Sequence, residues 1–191
     1  MTQNEIIIAN KPLSPTPLGL CTFGMLTILL SLANAGLIGL TSPIIGMGVF
    51  CGGIALIITG WLEWKNNNLF GFVTFGAFAF FWLSFVSILA LPALGLAAAP
   101  SALDMAAFLS VWTLLAIALL ICSLRLGTLL IGIMGTLVLL FLCLIIGNIT
   151  GMALFTALGG YAGIITGLLA LYVGAASVVN DVYQKSVLPL F

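Results

Sequence analysis

The sequence predicts an all-α integral membrane protein with six transmembrane helices, and three observations support this fold class. The 191-residue chain is 63% hydrophobic and only 4% charged, whereas a soluble domain carries about 25% charged residues on its surface. Its apolar runs reach the roughly 20 residues that a helix needs to cross a bilayer. The lysines and arginines lie outside those runs, in the arm, the tail and the short polar breaks.

Prolines and polar breaks delimit the first three helices. Pro17 precedes the first apolar run, and Pro43 opens the second, because proline is favoured in the first turn of a helix. The polar run KNNN at 65–68 separates the second run from the third. We therefore expect helices at 18–39, 43–63 and 70–92.

The next three helices follow from a capping signal and a glycine break. Pro100 is followed by Ser101 and Asp104, which have the spacing of a capping box at the start of a helix. Gly147 and Asn148 mark the end of the next apolar run. We therefore expect helices at 103–122, 127–147 and 152–179.

These spans divide the chain into an N-terminal arm (1–17), a transmembrane domain (18–179) and a C-terminal tail (180–191). After six crossings all four basic residues fall on one side of the membrane: Lys11, Lys65, Arg125 and Lys185. The positive-inside rule then predicts that both termini are cytoplasmic, in the plasma membrane or cell inner membrane. Residues 1–17 lack the cationic start of a signal peptide, so we expect no cleavage.

Two similar heptapeptides open the first and third helices. LGLCTFG at 18–24 and FGFVTFG at 70–76 lie 52 residues apart, and LGTLLIG at 126–132 keeps their glycine spacing. This pattern favours three parallel two-helix hairpin repeats around a central pathway, as in repeat-built transporters. Chance similarity is the alternative, since glycine and apolar residues are common throughout the chain. The glycines would allow close helix approach.

The residue content argues against several classes of function. Histidine is absent and no ionisable residue lies in the middle of a predicted helix, so the parts of a proton relay or a catalytic site are missing. We expect no enzymatic activity, no cofactor and no metal site, and the neutral net charge predicts no nucleic-acid partner. The four scattered cysteines are expected to pack as apolar residues. Glu63, between Trp61 and Trp64, is expected to be a hydrated carboxylate at the bilayer interface.

Uncharged polar and aromatic side chains are the remaining candidates for a pathway. Thr22 and Asn148 are candidate polar contacts for a substrate. Phenylalanines crowd the start of the third helix, including Phe72, Phe75 and Phe78. They fit either ordinary packing and lipid contact, or a hydrophobic constriction that opposes ions.

Several motifs resemble one transporter family. SPTPLGLCTFGM at 14–25 resembles the Asn-Pro-Ala-Pro-Leu-Gly-Leu signature of the acetate uptake transporter family, the succinate–acetate permeases. The similarity extends over residues 14–189 and includes GGIALIITGWLEWKNNNLFG at 52–71, FWLSF at 81–85, IGN at 146–148 and VLP at 187–189. The signature positions are held here by Ser14, Pro15, Pro17 and Gly19.

The resemblance implies six helices per protomer, a pathway through each protomer, and a homo-hexamer in the lipid bilayer. It also implies transport of acetate and related small carboxylates, including succinate, and places the family's hydrophobic neck at Phe23, Phe78 and Leu137. The chain departs from the family at Ser14 (for Asn), Leu56 (for Gln), Ala77 (for Ser) and Phe78 (for Tyr). The last three changes remove hydrogen-bonding groups near the presumed path, where a desolvated carboxylate would need them.

The leading functional hypothesis is therefore passage of a short-chain carboxylic acid, with any proton travelling on the substrate. A second hypothesis is a channel for a neutral solute such as urea or a short amide, which the lost polar groups would favour. A third is a membrane sensor or scaffold that transports nothing. No second domain is predicted from the short connections, which argues against the third hypothesis.

Overall fold

The computed structural model describes residues 13–190, and within this range six helices are long and apolar enough to cross a membrane. The prediction of an all-helical chain with six spans is confirmed for these residues. Part of the predicted N-terminal arm, with Lys11, lies outside them. The six helices are α1 (Thr16–Asn34), α2 (Ser42–Lys65), α3 (Leu69–Ala93), α4 (Ala102–Ser123), α5 (Thr128–Thr150) and α6 (Ala153–Tyr183).

Local signals explain most helix starts. Pro17 lies in the first turn of α1 and Pro43 in that of α2. The side chain of Asn68 accepts a hydrogen bond from the Gly71 amide at the start of α3. The predicted capping box at Ser101 and Asp104 is present at the start of α4.

Three helix ends differ from the sequence prediction. Helix α1 stops at Asn34 rather than near 39, because Gly36 adopts φ 76°, a left-handed conformation that glycine accepts readily. Helix α5 continues through Gly147 and ends before Gly151, which has φ 69°. Helix α6 runs four residues past the predicted 179, to Tyr183.

The middle of α2 is not an ordinary α-helix. Residues Gly48–Ala55 form a π-helical segment between two α-helical parts. Its glycines lie against α1 and α3, and a Cβ at Gly52 would come within 2.5 Å of the Trp82 ring. The glycines of this π-helical segment therefore lie where side chains of α1 and α3 approach the backbone of α2.

The helices pack as a ring in chain order. Each helix contacts the next one, and α6 returns to α1, which it contacts most extensively. Contact between α3 and α4 is the sparsest in the ring. The ends that carry Lys65, Arg125 and Lys185 lie together, and we call this the basic end; the opposite end, with the α3–α4 loop, is the far end.

Glycines allow close helix approach at two contacts, between α1 and α6 and between α2 and α3. A Cβ on Gly24 of α1 would lie 2.7 Å from the Gly167 carbonyl oxygen of α6, and one on Gly167 would lie 2.7 Å from the Gly24 oxygen. Gly60 of α2 lies in the same way against the backbone of Gly76 in α3. Small residues let backbones pack closely where lipid supplies no hydrophobic drive. The GxxxG motif at 163–167 is therefore used inside this chain.

Candidate functional site

Two cavities lie inside the ring, one towards each end. The basic-end cavity has a volume of about 260 Å³ and reaches from Thr16 and Asn68 inward to Phe23 and Phe78. The far cavity has a volume of about 130 Å³ and reaches from Phe23 and Phe78 outward to Asn34, Asn148 and Thr156. Each exceeds the roughly 10–15 Å³ that one water needs, so each has room for a small solute.

The first, third and fifth helices all line both cavities. Helix α1 contributes Leu20 to the basic-end cavity and Leu30 to the far one, and α5 contributes Leu130 and Leu140 in the same way. Helix α3 contributes Phe75 to the first and Phe85 to the second. The repeated heptapeptides thus begin two of the three helices that line both cavities.

The two cavities meet at a pair of phenylalanines. Phe23 and Phe78 line both cavities, and their ring centroids lie 5.9 Å apart. Phe78 is only 2% exposed, and Phe81 and Trp112 hold its ring, at 6.2 and 6.4 Å between centroids. An aromatic barrier therefore separates the cavities.

Leu137 lies beside this barrier on α5. Ile133 and Met134, one turn earlier, line the basic-end cavity, whereas Leu137 lines the far one and is 2% exposed. The three residues that the resemblance assigned to a neck thus lie at the level where one cavity gives way to the other.

The other predicted path residues are placed differently. Asn148 lines the far cavity, and its side-chain amide donates to the Leu144 carbonyl oxygen at 2.8 Å. Thr22, Leu56 and Ala77 are absent from the described linings of both cavities. The Thr22 hydroxyl donates to the Leu18 carbonyl oxygen of its own helix, and Leu56 is fully buried.

The signature residues lie at the start of α1. Ser14 is exposed and donates to the Thr16 hydroxyl oxygen, whereas Pro15 is buried and Pro17 half-buried. A Cβ on Gly19 would come within 2.5 Å of the Phe75 ring, so this glycine gives that ring its place in the wall of the basic-end cavity. None of the four signature residues is in the described lining of either cavity, and Gly19 contacts the wall of the basic-end cavity through Phe75.

Three buried polar groups in the cavity walls have no hydrogen-bond partner among residues 13–190. They are the hydroxyl groups of Thr27 and Thr74 and the indole N–H of Trp82. Thr74 lines the basic-end cavity, and Thr27 and Trp82 line the far one. Unpaired buried polar groups are costly and therefore uncommon. The sequence gave no sign of these unpaired groups, because a threonine in a helix commonly bonds to a carbonyl oxygen of its own helix.

Glu63 does not lie where the sequence predicted. It is 2% exposed rather than hydrated, so that expectation was wrong. The hydroxyl of Thr16 donates to Oε1, and the amide of Asn68 donates to Oε2 at 2.8 Å. Both donors line the basic-end cavity, so a buried carboxyl lies directly behind its wall.

Comparisons with known proteins match this chain to one family along nearly its whole length. The profile of the GPR1/FUN34/yaaH family matches residues 4–190. The chain is 40% identical to the succinate-acetate/proton symporter SatP of Escherichia coli K12, over 94% of this chain and 96% of that protein. It is 42% identical to a protein of Methanothermobacter thermautotrophicus, over 99% of this chain and 96% of the relative.

A solved structure has the same architecture. The structure of the bacterial acetate channel SatP superimposes with a TM-score of 0.92 at 40% sequence identity, covering 95% of this chain and all of that one. The resemblance that the sequence motifs indicated is thereby confirmed, and the chain belongs to the GPR1/FUN34/yaaH family.

Proposed function

We propose that this protein moves acetate and related small carboxylic acids, including succinate, across the membrane through the two cavities and the barrier between them. The observation that carries the proposal is the pair of cavities meeting at Phe23 and Phe78. It stands in a chain that matches SatP proteins along nearly its whole length. These relatives support a transporter or channel rather than an enzyme.

In this proposal Phe23, Phe78 and Leu137 form the hydrophobic neck. An apolar constriction opposes ions because they lose hydration there, and it admits uncharged solutes more readily. A carboxylic acid would therefore cross the neck more readily in its protonated form than as the anion. The proton then moves with the substrate, which needs no chain of ionisable side chains between the cavities.

The unpaired donors supply what the substrate loses on leaving water. We assign Thr74 to the basic-end cavity as a contact for the carboxyl group, and Thr27 and Trp82 to the far cavity. Asn148 adds an amide oxygen in the far cavity. We assign Thr22, Leu56 and Ala77 to the packing around the path, since neither described lining includes them.

The proposal extends to orientation and assembly. We infer that the basic end faces the cytoplasm of the cell inner membrane, because the positive-inside rule favours that side for Lys65, Arg125 and Lys185. We also propose a homo-hexamer, as the family resemblance implies. Large apolar side chains on the outer faces, such as Phe50 and Ile54, would meet lipid or neighbouring copies.

The deciding experiment is uptake of labelled acetate into proteoliposomes at external pH values of about 5 and about 7. An acid with a pKa near that of a glutamate side chain, about 4.3, is roughly 80 times more abundant in its neutral form at the lower value. We expect saturable uptake that is much faster at the lower pH, and that succinate blocks but urea does not. Protein-free liposomes give the background from lipid diffusion.

Two results would contradict the proposal. Acetate uptake no faster than in protein-free liposomes, with urea permeability intact, would favour the neutral-solute channel. Acetate uptake that is equal at both pH values would exclude passage of the protonated acid.

A further inference from the structure

Glu63 is the ionisable side chain that the helix ring buries most deeply among the described residues, and the pathway proposed above does not use it. Ionisable groups inside membrane proteins are costly and usually functional. Here the carboxyl group lies on α2, close to the basic end, and contacts the starts of α1 and α3. The burial of Glu63 at this position indicates a role other than helix packing.

Both oxygens of the Glu63 carboxyl group act as hydrogen-bond acceptors. Each oxygen accepts one hydrogen bond, Oε1 from the Thr16 hydroxyl and Oε2 from the Asn68 amide. A carboxylate is purely an acceptor, so this arrangement satisfies both of its oxygens. A Cβ on Gly71 would lie 2.8 Å from the carboxyl carbon, so the third wall residue in contact carries no side chain that could shield the charge.

The contacts also change what the cavity offers a solute. Thr16 directs its hydroxyl hydrogen at Glu63, which leaves its oxygen as an acceptor. Asn68 directs one amide hydrogen at Glu63, and its carbonyl oxygen accepts from the Gly71 amide. The Thr16 oxygen also accepts from the Ser14 hydroxyl, and Asn68 keeps a second amide hydrogen. The wall nearest the entrance therefore presents both acceptor and donor atoms, backed by the Glu63 carboxyl group.

No charged residue at this end is in the described lining of the cavity, and the exposed Arg125 is the chain neighbour of Leu126, which is in it. The residues of α1 and α3 that contact Glu63 are uncharged, namely Thr16, Asn68 and Gly71. On α2, the Lys65 ammonium lies 4.0 Å from the centroid of the Trp61 ring. On α6, Asp181 lies with Thr16 in a hollow on the outer surface, and it adds a second negative charge at this end.

We propose that Glu63 makes the basic-end cavity selective for the protonated acid over the carboxylate anion. A neutral carboxylic acid can donate its hydrogen to the Thr16 oxygen, whereas an anion meets the like charge of Glu63 behind the wall. A unit charge about 10 Å away, at an effective dielectric of about 20, lowers the occupancy of an anion by a factor on the order of ten. This inference rests on the proposed function and adds a selection by charge in the basic-end cavity to the exclusion of ions at the neck.

The test is Glu63→Gln, compared with Asp181→Asn in the same proteoliposome assay. Glutamine keeps the size of the side chain and can still exchange hydrogen bonds with Thr16 and Asn68, but it carries no charge. We expect the ratio of acetate uptake at about pH 5 to that at about pH 7 to fall on the order of tenfold, through faster uptake at the higher pH. Asp181→Asn removes a charge from the outer surface of the same end and should leave the ratio unchanged.

A second variant covers the case in which Glu63→Gln does not fold. Thr16→Lys places an ammonium group beside Glu63 at a half-buried position and should lower the ratio in the same direction. A folded variant of either kind that keeps the wild-type ratio would overturn the inference while leaving acetate transport intact. Loss of wild-type acetate uptake itself would instead overturn the proposed function, and the inference with it.

Discussion

Phe78 is the residue at which both cavities end, and its replacement should open them to each other. Phe78→Ala removes a ring that contacts Phe23, Phe81 and Trp112. We expect bulkier carboxylates to gain uptake relative to acetate by roughly tenfold or more, because the hydrophobic barrier of the neck is then widened. Competition by succinate and a larger monocarboxylate in the uptake assay measures this change.

Phe80→Ala is the matched control for that variant. Phe80 lies two residues along the same helix and is 59% exposed, outside both cavity linings. The Phe80→Ala protein should transport acetate with wild-type selectivity. Unaltered selectivity in a folded Phe78→Ala protein would show that the barrier lies elsewhere. Phe78→Ala is also expected to lower the free energy of unfolding, by about 3–5 kcal/mol if the site cannot collapse.

The residues of the candidate site could be predicted from the sequence only where a family motif included them. Phe23, Phe78 and Leu137 followed from the family resemblance. Phe23 and Phe78 line both cavities and Leu137 lines the far one, and their role as a neck stays a prediction. Glu63 could not be placed correctly, because one of its two hydrogen-bond donors is Thr16, which lies 47 residues away in the chain. Hydropathy near a helix end gives no sign that another helix covers it.

The two repeated heptapeptides provide a test of helix packing. Gly24 and Gly76 hold the same position in the repeat, but a Cβ on Gly24 would meet backbone atoms of α6 at 2.7 Å, and a Cβ on Gly76 would meet nothing within 4 Å. Gly24→Ala should therefore force α1 and α6 apart at a cost of about 1–3 kcal/mol. Gly76→Ala should be neutral or stabilising by up to about 1 kcal/mol, since alanine favours helix.

Thermal unfolding of the two alanine variants in detergent measures this difference. The thermal midpoint of Gly24→Ala should fall below that of the wild type, and the midpoint of Gly76→Ala should stay level or rise. Equal midpoints for the two variants would mean that the repeats pack alike and that the close α1–α6 approach is not tight.

The existence of each helix was predictable, whereas its ends and internal geometry were less so. Hydropathy sets the number of spans because about 20 apolar residues are needed for each crossing. The end of α1 depends on Gly36 in a left-handed conformation, one of several glycines that the sequence alone does not distinguish. The π-helical segment at Gly48–Ala55 depends on contacts with α1 and α3, which no local pattern records.

At the scale of the whole molecule, the ring of helices gives the two cavities opposite exits. The repeat predicted that alternate helices share one interior, and the cavity linings place α1, α3 and α5 there. The repeat carried no information on cavity volume, since volume depends on how side chains from different helices meet. Because the two cavities differ in volume and lining, the order in which a solute meets them depends on which end of the ring faces the cytoplasm.

Cysteine labelling in intact cells should establish that orientation. In a background without the four native cysteines, Ala98→Cys places a thiol in the exposed far-end loop, and Lys185→Cys places one in the exposed tail at the basic end. Because basic loops are retained in the cytoplasm, a membrane-impermeant maleimide should label Ala98→Cys from outside and Lys185→Cys only after permeabilisation. The reverse pattern would put the Glu63 cavity on the outer face, so external acid would then meet its charge selection before the neck rather than after it.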